Sequence, residues 1–527
     1  MTGTRLWGLV GQRAASSPDA EMLVDERGRR VSFGEFRDRA ERVSAGFAAR
    51  GIGAGSAVTW QLPTTVETLV LTAALSRAGA VQNPVIPGYG ERNLEFVARQ
   101  TRAELLIAMS SWNGHDLGSA ARTVASRVPG LGLLILDSGS ADDLPQATDV
   151  PPPAGQEGDP VRWIFYTSGT TAEPKGARHT DASVLASSAG MLRALACTSD
   201  DRVGLVFPVA HIGGCGTWLG ACLMTGCTLI LDSAFDAERT TELQRRERVT
   251  VAGSGTVFTQ IYLEAQRRRP GGRLFPDVRL LTAGAAPRPP SLHGEVKREL
   301  GGLGVLSGYG MTEAPILTMA ATTDPDDVLA TTEGRPCPGV DIRVIANDGT
   351  AAAPGRIGEL RVKGPQVMRG YVDEALDAEA FDSGGYLRTG DLGTLDAAGY
   401  LTITGRLKDV IIRKGETISA RAIELELLTH PGVADAAVVG LPHTGQDELA
   451  CAVVVPADGE KAPDLEGIAA HLRERGLPQV QWPERLEIVT DLPRNTTGKV
   501  LKEELRARLT RPPAETLNDV TGRGPGL

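Results

Sequence analysis

Cysteine pairs and long apolar runs are both missing from this sequence. Its 527 residues include 6 cysteines, and none of them stands in a C-x-x-C pair. Six cysteines are too few to form a disulfide framework in a chain of this length. We therefore expect reduced thiols. The N-terminus has no long apolar signal region, and no run of about 18 apolar residues is present to span a membrane. A cytoplasmic protein is the default expectation.

A basic surface for nucleic acid is also missing. The formal net charge is -10, from 55 Lys+Arg against 65 Asp+Glu, which argues against a nucleic-acid partner. Only eight of the basic residues are lysines, and Lys175, Lys408 and Lys499 lie in the motifs described below. The 7 histidines show no zinc-site spacing.

Chain length and hydrophobic periodicity indicate more than one domain. From residue 58 to 306, short apolar runs such as 161–166 and 228–231 alternate with amphipathic stretches, which predicts parallel βαβ units. Between 334 and 405 the runs shorten and are broken by Gly and Asp, which indicates a small barrel or β-rich subdomain. A separate α+β pattern follows.

We therefore predict an α/β fold with a large N-terminal domain of doubly wound mixed sheets, residues 1–405, that includes the small β-barrel subdomain at about 334–405. A small α+β C-terminal domain covers residues 406–510, and residues 511–527 are expected to be a disordered tail. Ligands of such open sheets bind beyond the carboxyl ends of the strands. Those ends are followed by the loops that begin at Thr167, Pro208, Ala283 and Ser307.

The segment 166–176, YTSGTTAEPKG, is a Gly-rich loop directly after a mostly apolar run. Successive backbone N–H groups in such a turn form a nest for anions, and hydroxyl and ammonium groups can add to it. No GK followed by Ser or Thr is present, so it is not a Walker loop. The sequence predicts phosphate binding here, with side-chain donors from Thr167, Ser168, Thr170, Thr171 and Lys175.

Four further motifs follow in order: YGMTE at 309–313, YLRTGD at 386–391, GRLKD at 405–409 and PRNTTGK at 493–499. Together with the Gly-rich loop they resemble the adenylate-forming superfamily of acyl-CoA synthetases, luciferases and peptide-synthetase adenylation domains. The resemblance extends from about residue 20 to about residue 508, and five motifs share the family's order.

The resemblance implies an acid–thiol ligase whose cofactors and co-substrates are ATP, Mg²⁺ and coenzyme A. A hydrophobic carboxylic acid attacks the α-phosphate of ATP, pyrophosphate leaves, and the acyl-AMP then passes its acyl group to the thiol of coenzyme A. Negative charge converges at one phosphorus in the first step, so cations and hydrogen-bond donors are needed there.

The same resemblance assigns roles to individual residues. Glu313 would bind Mg²⁺, Thr312 would contact the α-phosphate, and Lys499 would bridge the attacking carboxylate and an α-phosphate oxygen. Asp391 and Arg406 match the ribose-binding pair. The remaining expected ATP/AMP-binding residues are Thr167, Ser168, Gly169, Thr170, Thr171, Lys175, Gly284, Ala285, Ala286, Tyr309, Gly310 and Met311.

In this family the C-terminal domain rotates between the two steps, so the domain at 406–510 is expected to be mobile, with Lys408 at the hinge.

The phosphate loop departs from the family pattern at one position, where Ala172 replaces the usual glycine. This replacement costs about 1 kcal/mol if the position needs a positive φ. His211 is expected to act as a gate near the substrate carboxylate rather than as a general base. The expected residues of the CoA and acyl tunnel are His211, Gly415, Val209, Trp218 and Gly308, and Thr256, Phe258, Gly284 and Met311 are further candidate walls.

Three alternatives stay open at this point. The acceptor thiol is either free coenzyme A or the phosphopantetheine of a carrier protein, and a nucleotide-binding scaffold without catalysis is the third alternative. The segment 60–96 resembles synthetases of alicyclic or medium-chain acids, while aromatic and steroid-derived acids are not excluded. A homodimer is a further open expectation.

Overall fold

The computed structural model describes residues 5–137, 143–155, 158–167, 173–269, 271–284, 288–413, 416–443, 446–457, 459, 461–494 and 499–510. The chain divides into two compact units. The larger unit comprises Met1–Lys408 and Arg494–Lys499, and the smaller comprises Asp409–Pro493 and Val500–Leu527. A hinge at Lys408 stays a prediction, and the expected tail at 511–527 lies outside the described residues.

The first third of the chain alternates helices and strands. Its elements are α1 (Leu6–Ser16), β1 (Glu21–Asp25), β2 (Arg30–Ser32), α2 (Phe33–Ala48), β3 (Ala57–Gln61), α3 (Val66–Ala78), β4 (Val81–Pro84), α4 (Glu91–Gln100), β5 (Leu105–Met109), α5 (Leu117–Arg127) and β6 (Gly132–Leu136).

The middle third continues the alternation and includes a π-helix, Ile212–Trp218. Its other elements are β7 (Val161–Tyr166), β8 (Gly176–Thr180), α6 (Asp181–Leu195), β9 (Arg202–Leu205), α7 (Leu219–Thr225), β10 (Thr228–Leu231), α8 (Ala237–Arg246), β11 (Val251–Gly253), α9 (Thr256–Arg268), β12 (Leu280–Ala283), α10 (Ser291–Glu299), β13 (Val305–Met311), β14 (Ala314–Met319), α11 (Asp326–Thr331) and β15 (Arg335–Pro336).

The last third is richer in antiparallel strands. Its elements are β16 (Asp341–Ile345), β17 (Gly358–Lys363), α12 (Asp377–Ala380), β18 (Leu387–Leu395), β19 (Leu401–Arg406), β20 (Val410–Arg413), β21 (Glu416–Ser419), α13 (Ala420–Leu427), β22 (Val433–His443), β23 (Gln446–Pro456), α14 (Leu465–Glu474), β24 (Arg485–Ile488) and α15 (Lys502–Thr510).

Two mixed sheets build most of the larger unit. A nine-stranded sheet has the order β15-β14-β13-β12-β11-β9-β10-β1-β2, and a six-stranded sheet has the order β6-β5-β3-β4-β7-β8. The strands from β13 to β1 run parallel, as do those from β6 to β7, while antiparallel strands flank them. The prediction of doubly wound mixed sheets is confirmed.

Alternating side chains explain why these strands read as continuous apolar runs. On β10, Leu229 and Leu231 belong to the main core, which also contains Trp60 and Trp163 of the six-stranded sheet. The intervening Ile230 points to a second core on the opposite face, formed with α8, α9 and α10. Both faces of the strand are therefore buried, as expected for parallel strands covered by helices.

Residues 341–406 form a four-stranded antiparallel sheet with the order β16-β17-β18-β19. Among the described residues, β16 and β19 do not pair with each other, so this β-rich region is an open sheet and the predicted small barrel is wrong. Within the described strands, the two edges lack the pairing that would close the sheet on itself. Its inner face buries Ile342, Leu360 and Leu401.

The smaller unit has its own core. A three-stranded sheet, β22-β23-β24, and the hairpin β20-β21 pack with α13 and α14 around Ile423, Val438 and Ile468. The α+β pattern predicted after residue 406 is thus present. Among the described residues, no helix combines enough length and apolar character to cross a membrane.

Candidate functional site

A cleft of about 800 Å³ lies at the carboxyl ends of parallel strands in the larger unit. Residues that follow β7, β9, β11, β12 and β13 line it, namely Thr167, Phe207, Ser254, Gly284 and Thr312. Open α/β sheets bind ligands at this edge, because the loops of several strands meet there.

Two residues that line the cleft, Gly308 and Ser254, have constrained backbone positions. A Cβ atom on Gly308 would lie 2.7 Å from the Met319 sulfur and 3.0 Å from the Thr318 carbonyl oxygen, so a larger residue there would have to displace β14 or the Met319 side chain. Ser254 has a φ of 121°, a conformation that is costly for a residue with a side chain. Strained positions of this kind concentrate at functional sites.

The Asp391 carboxylate lines the cleft and is held by two other side chains. It is 3% exposed, and it stands opposite Arg406 in the β18–β19 ladder. The Arg406 Nε donates to Asp391 Oδ1 at 2.8 Å, and the Tyr309 hydroxyl donates to Oδ2 at 2.7 Å. Each carboxylate oxygen keeps a second lone pair for another donor.

A second buried carboxylate belongs to Glu313. Its side chain lies in the turn between β13 and β14, is 6% exposed, and accepts a hydrogen bond from the Tyr371 hydroxyl at 2.7 Å. Burial raises the pKa of Glu313 above its usual value. Among the described residues Glu313 forms no ion pair within 4.0 Å, and the positive charges of Lys175 and Arg406 nearby only partly offset the effect of burial on its pKa.

The Glu313 carboxylate fits a hard divalent cation. Mg²⁺ prefers oxygen ligands and is commonly held by one or two carboxylates together with substrate phosphates. The described residues contain no group of three or more His, Cys, Asp and Glu side chains placed for a metal. A single carboxylate that shares the ion with phosphate oxygens is consistent with both facts.

The other wall of the cleft is apolar and begins at His211. Its Nδ1 accepts a hydrogen bond from the Gly213 N–H at 3.0 Å, and its ring stacks on Phe207 with centroids 5.1 Å apart. Burial lowers the pKa of His211 to about 4, so the imidazole is neutral at pH 7 and carries its proton on Nε2. The π-helix that follows places Ile212, Thr217 and Trp218 on the cleft.

Three lysines also line the cleft. Lys175 lies at the end of the predicted phosphate loop, with its Nζ 5.5 Å from the centre of the Tyr371 ring. Lys408 and Lys499 lie on the same cleft, and both belong to the larger unit. Cations are therefore available where negative charge would collect.

Comparison with known proteins identifies this arrangement. Residues 10–372 match the AMP-binding enzyme family, and residues 422–499 match the AMP-binding enzyme C-terminal domain. The chain belongs to the AMP-binding enzyme family. The resemblance to the adenylate-forming superfamily is thereby confirmed, and the protein is an enzyme.

Relatives cover nearly the whole length of this AMP-binding enzyme. The sulfoacetate–CoA ligase of Cupriavidus necator is 32% identical over 511 residues, which is 95% of this chain and 97% of that protein. The medium-chain fatty-acid–CoA ligase of Escherichia coli is 29% identical over 532 residues, which is 97% of this chain and 93% of that protein. ATP-bound MatB from Rhodopseudomonas palustris superimposes with a TM-score of 0.85 at 28% identity, covering 96% of this chain and 99% of that one.

Most of the residues predicted for the site lie on the cleft of this AMP-binding enzyme. Tyr309 and Val209 are exceptions, because Tyr309 contacts the site through Asp391 and Val209 is fully buried in the main core. The candidate walls Thr256 and Phe258 are buried too. The predicted residues that line the cleft are Thr167, Lys175, His211, Trp218, Gly284, Gly308, Gly310, Met311, Thr312, Glu313, Asp391, Arg406, Lys408 and Lys499.

Several predicted residues lie outside the described part of the AMP-binding enzyme. These are Ser168, Gly169, Thr170 and Thr171 with the departure Ala172 in the phosphate loop, Ala285 and Ala286 after β12, and Gly415 after β20. Their roles stay predictions.

Two residues near the site of the AMP-binding enzyme were not predicted. Tyr371 reaches Glu313 from a distance of 58 positions in sequence, and His179 reaches the Thr312 carbonyl from 133 positions away. The sequence indicated no role in the site for His179. No spacing within the sequence indicates either contact, since both depend on how separate elements meet.

Proposed function

We propose that this AMP-binding enzyme activates a hydrophobic carboxylic acid with ATP and transfers the acyl group to coenzyme A. In the first step a carboxylate oxygen bonds to the α-phosphorus, the bond to the leaving pyrophosphate breaks, and acyl-AMP forms. In the second step the thiol sulfur bonds to the acyl carbon, AMP leaves, and the thiol gives up its proton. The relatives named as CoA ligases support this choice of acceptor.

One observation carries the proposal: a single cleft has a charged side and an apolar side. The charged side is defined by Lys175, Glu313, Asp391, Arg406, Lys408 and Lys499. The apolar side is defined by Met191, Phe207, Ile212, Trp218, Ile316 and Met319. A nucleotide triphosphate suits the first side and an apolar acyl chain suits the second.

On the charged side, each group has a distinct task. Glu313 would hold Mg²⁺, which neutralises phosphate charge and orients the phosphate oxygens. Asp391 would accept hydrogen bonds from the ribose hydroxyls while Arg406 keeps its carboxylate in place. Thr312 would donate to the α-phosphate.

Lys499 would bridge the substrate carboxylate and the α-phosphate. Its ammonium reduces the repulsion between these two anions as they approach, an effect that is large where water is excluded. Its place on the cleft lining supports this role. Lys408 would serve as the hinge when the C-terminal domain rotates for the second step.

On the apolar side, the described lining residues from 191 to 284 and from 315 to 319 include no Asp, Glu, Lys or Arg. A second anionic group on the acid would therefore be desolvated there without a cationic partner. His211 does not supply that charge, because its imidazole is neutral at pH 7. We therefore assign an acid with an uncharged, apolar chain.

The test follows pyrophosphate release with ATP, Mg²⁺ and matched acids, with and without coenzyme A. Octanoic acid and octanedioic acid form the decisive pair, since they differ only in the distal carboxyl group. Octanoic acid should be preferred by at least about 100-fold, because burying an unpaired carboxylate is costly. Equal use of both acids would contradict the apolar assignment. Pyrophosphate release without any acyl-CoA product would move the acceptor to a carrier protein, and no release with any acid would leave a scaffold.

A further inference from the structure

Strand β8 connects the predicted phosphate loop to the rest of the site. It begins at Gly176, directly after Lys175, and pairs with β7 on one side. On its other side it exchanges backbone hydrogen bonds with residues 369–372, through Arg178 N–H to the Gly370 carbonyl at 2.9 Å and Val372 N–H to the Gly176 carbonyl at 2.8 Å. Tyr371, whose hydroxyl binds Glu313, is thus held against β8.

His179 makes a second connection from the same strand. Its ring is fully buried, with Nε2 at 2.9 Å from the Thr312 carbonyl oxygen and Nδ1 at 3.1 Å from the Ser183 hydroxyl oxygen. Thr312 and Glu313 form the turn between β13 and β14. Strand β8 therefore contacts Thr312 directly through His179, and it is connected to Glu313 through the adjacent segment that carries Tyr371.

The partners of His179 determine where its proton lies. A carbonyl oxygen only accepts hydrogen bonds, so Nε2 must be the donor to Thr312. Burial lowers the pKa of His179 to about 4, which keeps the ring neutral at pH 7 and leaves Nδ1 unprotonated. The Ser183 hydroxyl lies 3.1 Å from this Nδ1 and 3.0 Å from the Thr180 carbonyl oxygen, and its single proton can go to one of the two. The bond from Nε2–H to the Thr312 carbonyl oxygen therefore sets the orientation of the ring.

The strand pairing on either side of the Thr312–Glu313 turn is irregular. The β13–β14 pairing shifts register between Tyr309 and Met311, and Ile316 has a φ of 47°, which is costly for a β-branched residue. The hairpin alone therefore does not determine the position of the turn. A hydrogen bond from outside the hairpin can do so.

We propose that His179 is a positioning residue that holds the Thr312–Glu313 turn at a set distance from the strand leaving the phosphate loop. The inference rests on the proposed roles of Thr312 and Glu313. This bond would keep Thr312 and Glu313, which would contact the α-phosphate and Mg²⁺, at a fixed distance from the phosphate loop, which would contact the outer phosphates. Loss of the bond should weaken the binding of ATP together with Mg²⁺ more than it weakens the binding of ATP alone.

The test compares His179→Leu with His179→Gln by calorimetric titration of ATP, with and without Mg²⁺. Leucine fills the space but donates no hydrogen bond, whereas the glutamine amide can place a donor near the position of Nε2. We expect His179→Leu to weaken MgATP binding by about tenfold, at the lower end of effects seen when groups supporting a metal ligand are removed. His179→Gln should remain close to the unaltered protein.

His293→Leu is the matched control. His293 is likewise buried and lies 3.1 Å from a backbone carbonyl oxygen, that of Val305, but it is not part of the cleft lining. A general loss of packing would lower the melting temperature of both leucine variants, while only the positioning role changes the MgATP dissociation constant of the folded fraction.

Two results would overturn the inference: MgATP binding by His179→Leu as tight as that of the unaltered protein, or equal weakening by leucine and glutamine. If His179→Leu does not fold, His179→Asn replaces it, since its shorter amide does not reach the Thr312 carbonyl; equal binding by Asn and Gln would then count against the inference. Thr312→Ala and Glu313→Gln are titrated in parallel. If both variants bind MgATP as tightly as the unaltered protein, the proposed roles of Thr312 and Glu313 are wrong. If both bind MgATP more weakly while His179→Leu does not, only the positioning role of His179 is wrong.

Discussion

The two sides of the cleft are built on different principles. On the charged side, Asp391 and Glu313 are buried carboxylates whose positions are set by hydrogen bonds from Arg406, Tyr309 and Tyr371. On the apolar side, Trp218 and its neighbours are set by packing and by the π-helix. Directional bonds fix single atoms, whereas packing fixes a volume. Changes on the first side should therefore affect rate and nucleotide use, and changes on the second should affect the choice of acid.

The largest effect should come from Lys499→Ala on the charged side. Removing the ammonium should slow acyl-AMP formation by about 10²–10³-fold, in line with the loss of one donor to a developing anion. Thioester formation from supplied acyl-AMP should continue. Stopped-flow measurement of each half-reaction checks this, with Lys297→Ala, an exposed lysine paired with Asp326, as the control. Equal slowing of both half-reactions would contradict the assigned role.

On the apolar side, Trp218→Leu should change which acid the enzyme prefers. The smaller side chain enlarges the cleft, so the preference for a bulky alicyclic acid over octanoic acid should shift by about 10–100-fold, the range for pocket reshaping. The KM for ATP should stay unchanged. Competition between the two acids measures the shift, and Trp482→Leu in the smaller unit is the control. A change in the KM for ATP with no change in acid preference would break the distinction between the two sides.

Asp391→Asn should give a smaller effect that is specific for the sugar. The unaltered protein should bind ATP about tenfold more tightly than 2′,3′-dideoxy-ATP, since hydrogen bonds to a charged acceptor contribute about 1.5–3 kcal/mol. The asparagine variant should show little discrimination between the two nucleotides. Competition binding provides the measurement. If the variant keeps the full discrimination, Asp391 does not contact the ribose.

The smallest effect should be the pH dependence of Glu313→Gln. Burial raises the pKa of Glu313 above 4.5, so ionising this carboxyl in the folded protein costs more than in the unfolded chain. That cost is absent below pH 4.5, grows as the pH rises from 4.5 towards the raised pKa, and is constant above it. The glutamine variant should therefore gain stability relative to the unaltered protein with increasing pH, read as the difference in melting temperature between pH 4.5 and 8. A constant difference would contradict the raised pKa.

Sequence reasoning succeeded where chemistry and local pattern coincide. Strand β10 was predicted with its observed bounds, because four consecutive buried residues between turns are typical of a covered parallel strand. Glu313, Asp391 and Lys499 stood out because each belongs to a motif with a recognisable order. Their roles still await the measurements above.

Other features depend on tertiary structure and left no local signal. The π-helix at Ile212–Trp218 has one extra residue per turn, which a glycine-rich stretch tolerates but does not dictate. Val209 and Ile212 are both apolar and close in sequence, yet only Ile212 faces the cleft. The bond from His179 to Thr312 joins two elements that the sequence analysis treated separately.

The scarcity of lysine gives the cleft a chemical signature. Three of the eight lysines, Lys175, Lys408 and Lys499, line it. An amine-selective acylating reagent therefore has few other targets on this arginine-rich protein. Protection of these three amines by nucleotide, read as mass changes of the modified peptides, would report on occupancy of the cleft without any knowledge of the acid that the enzyme uses.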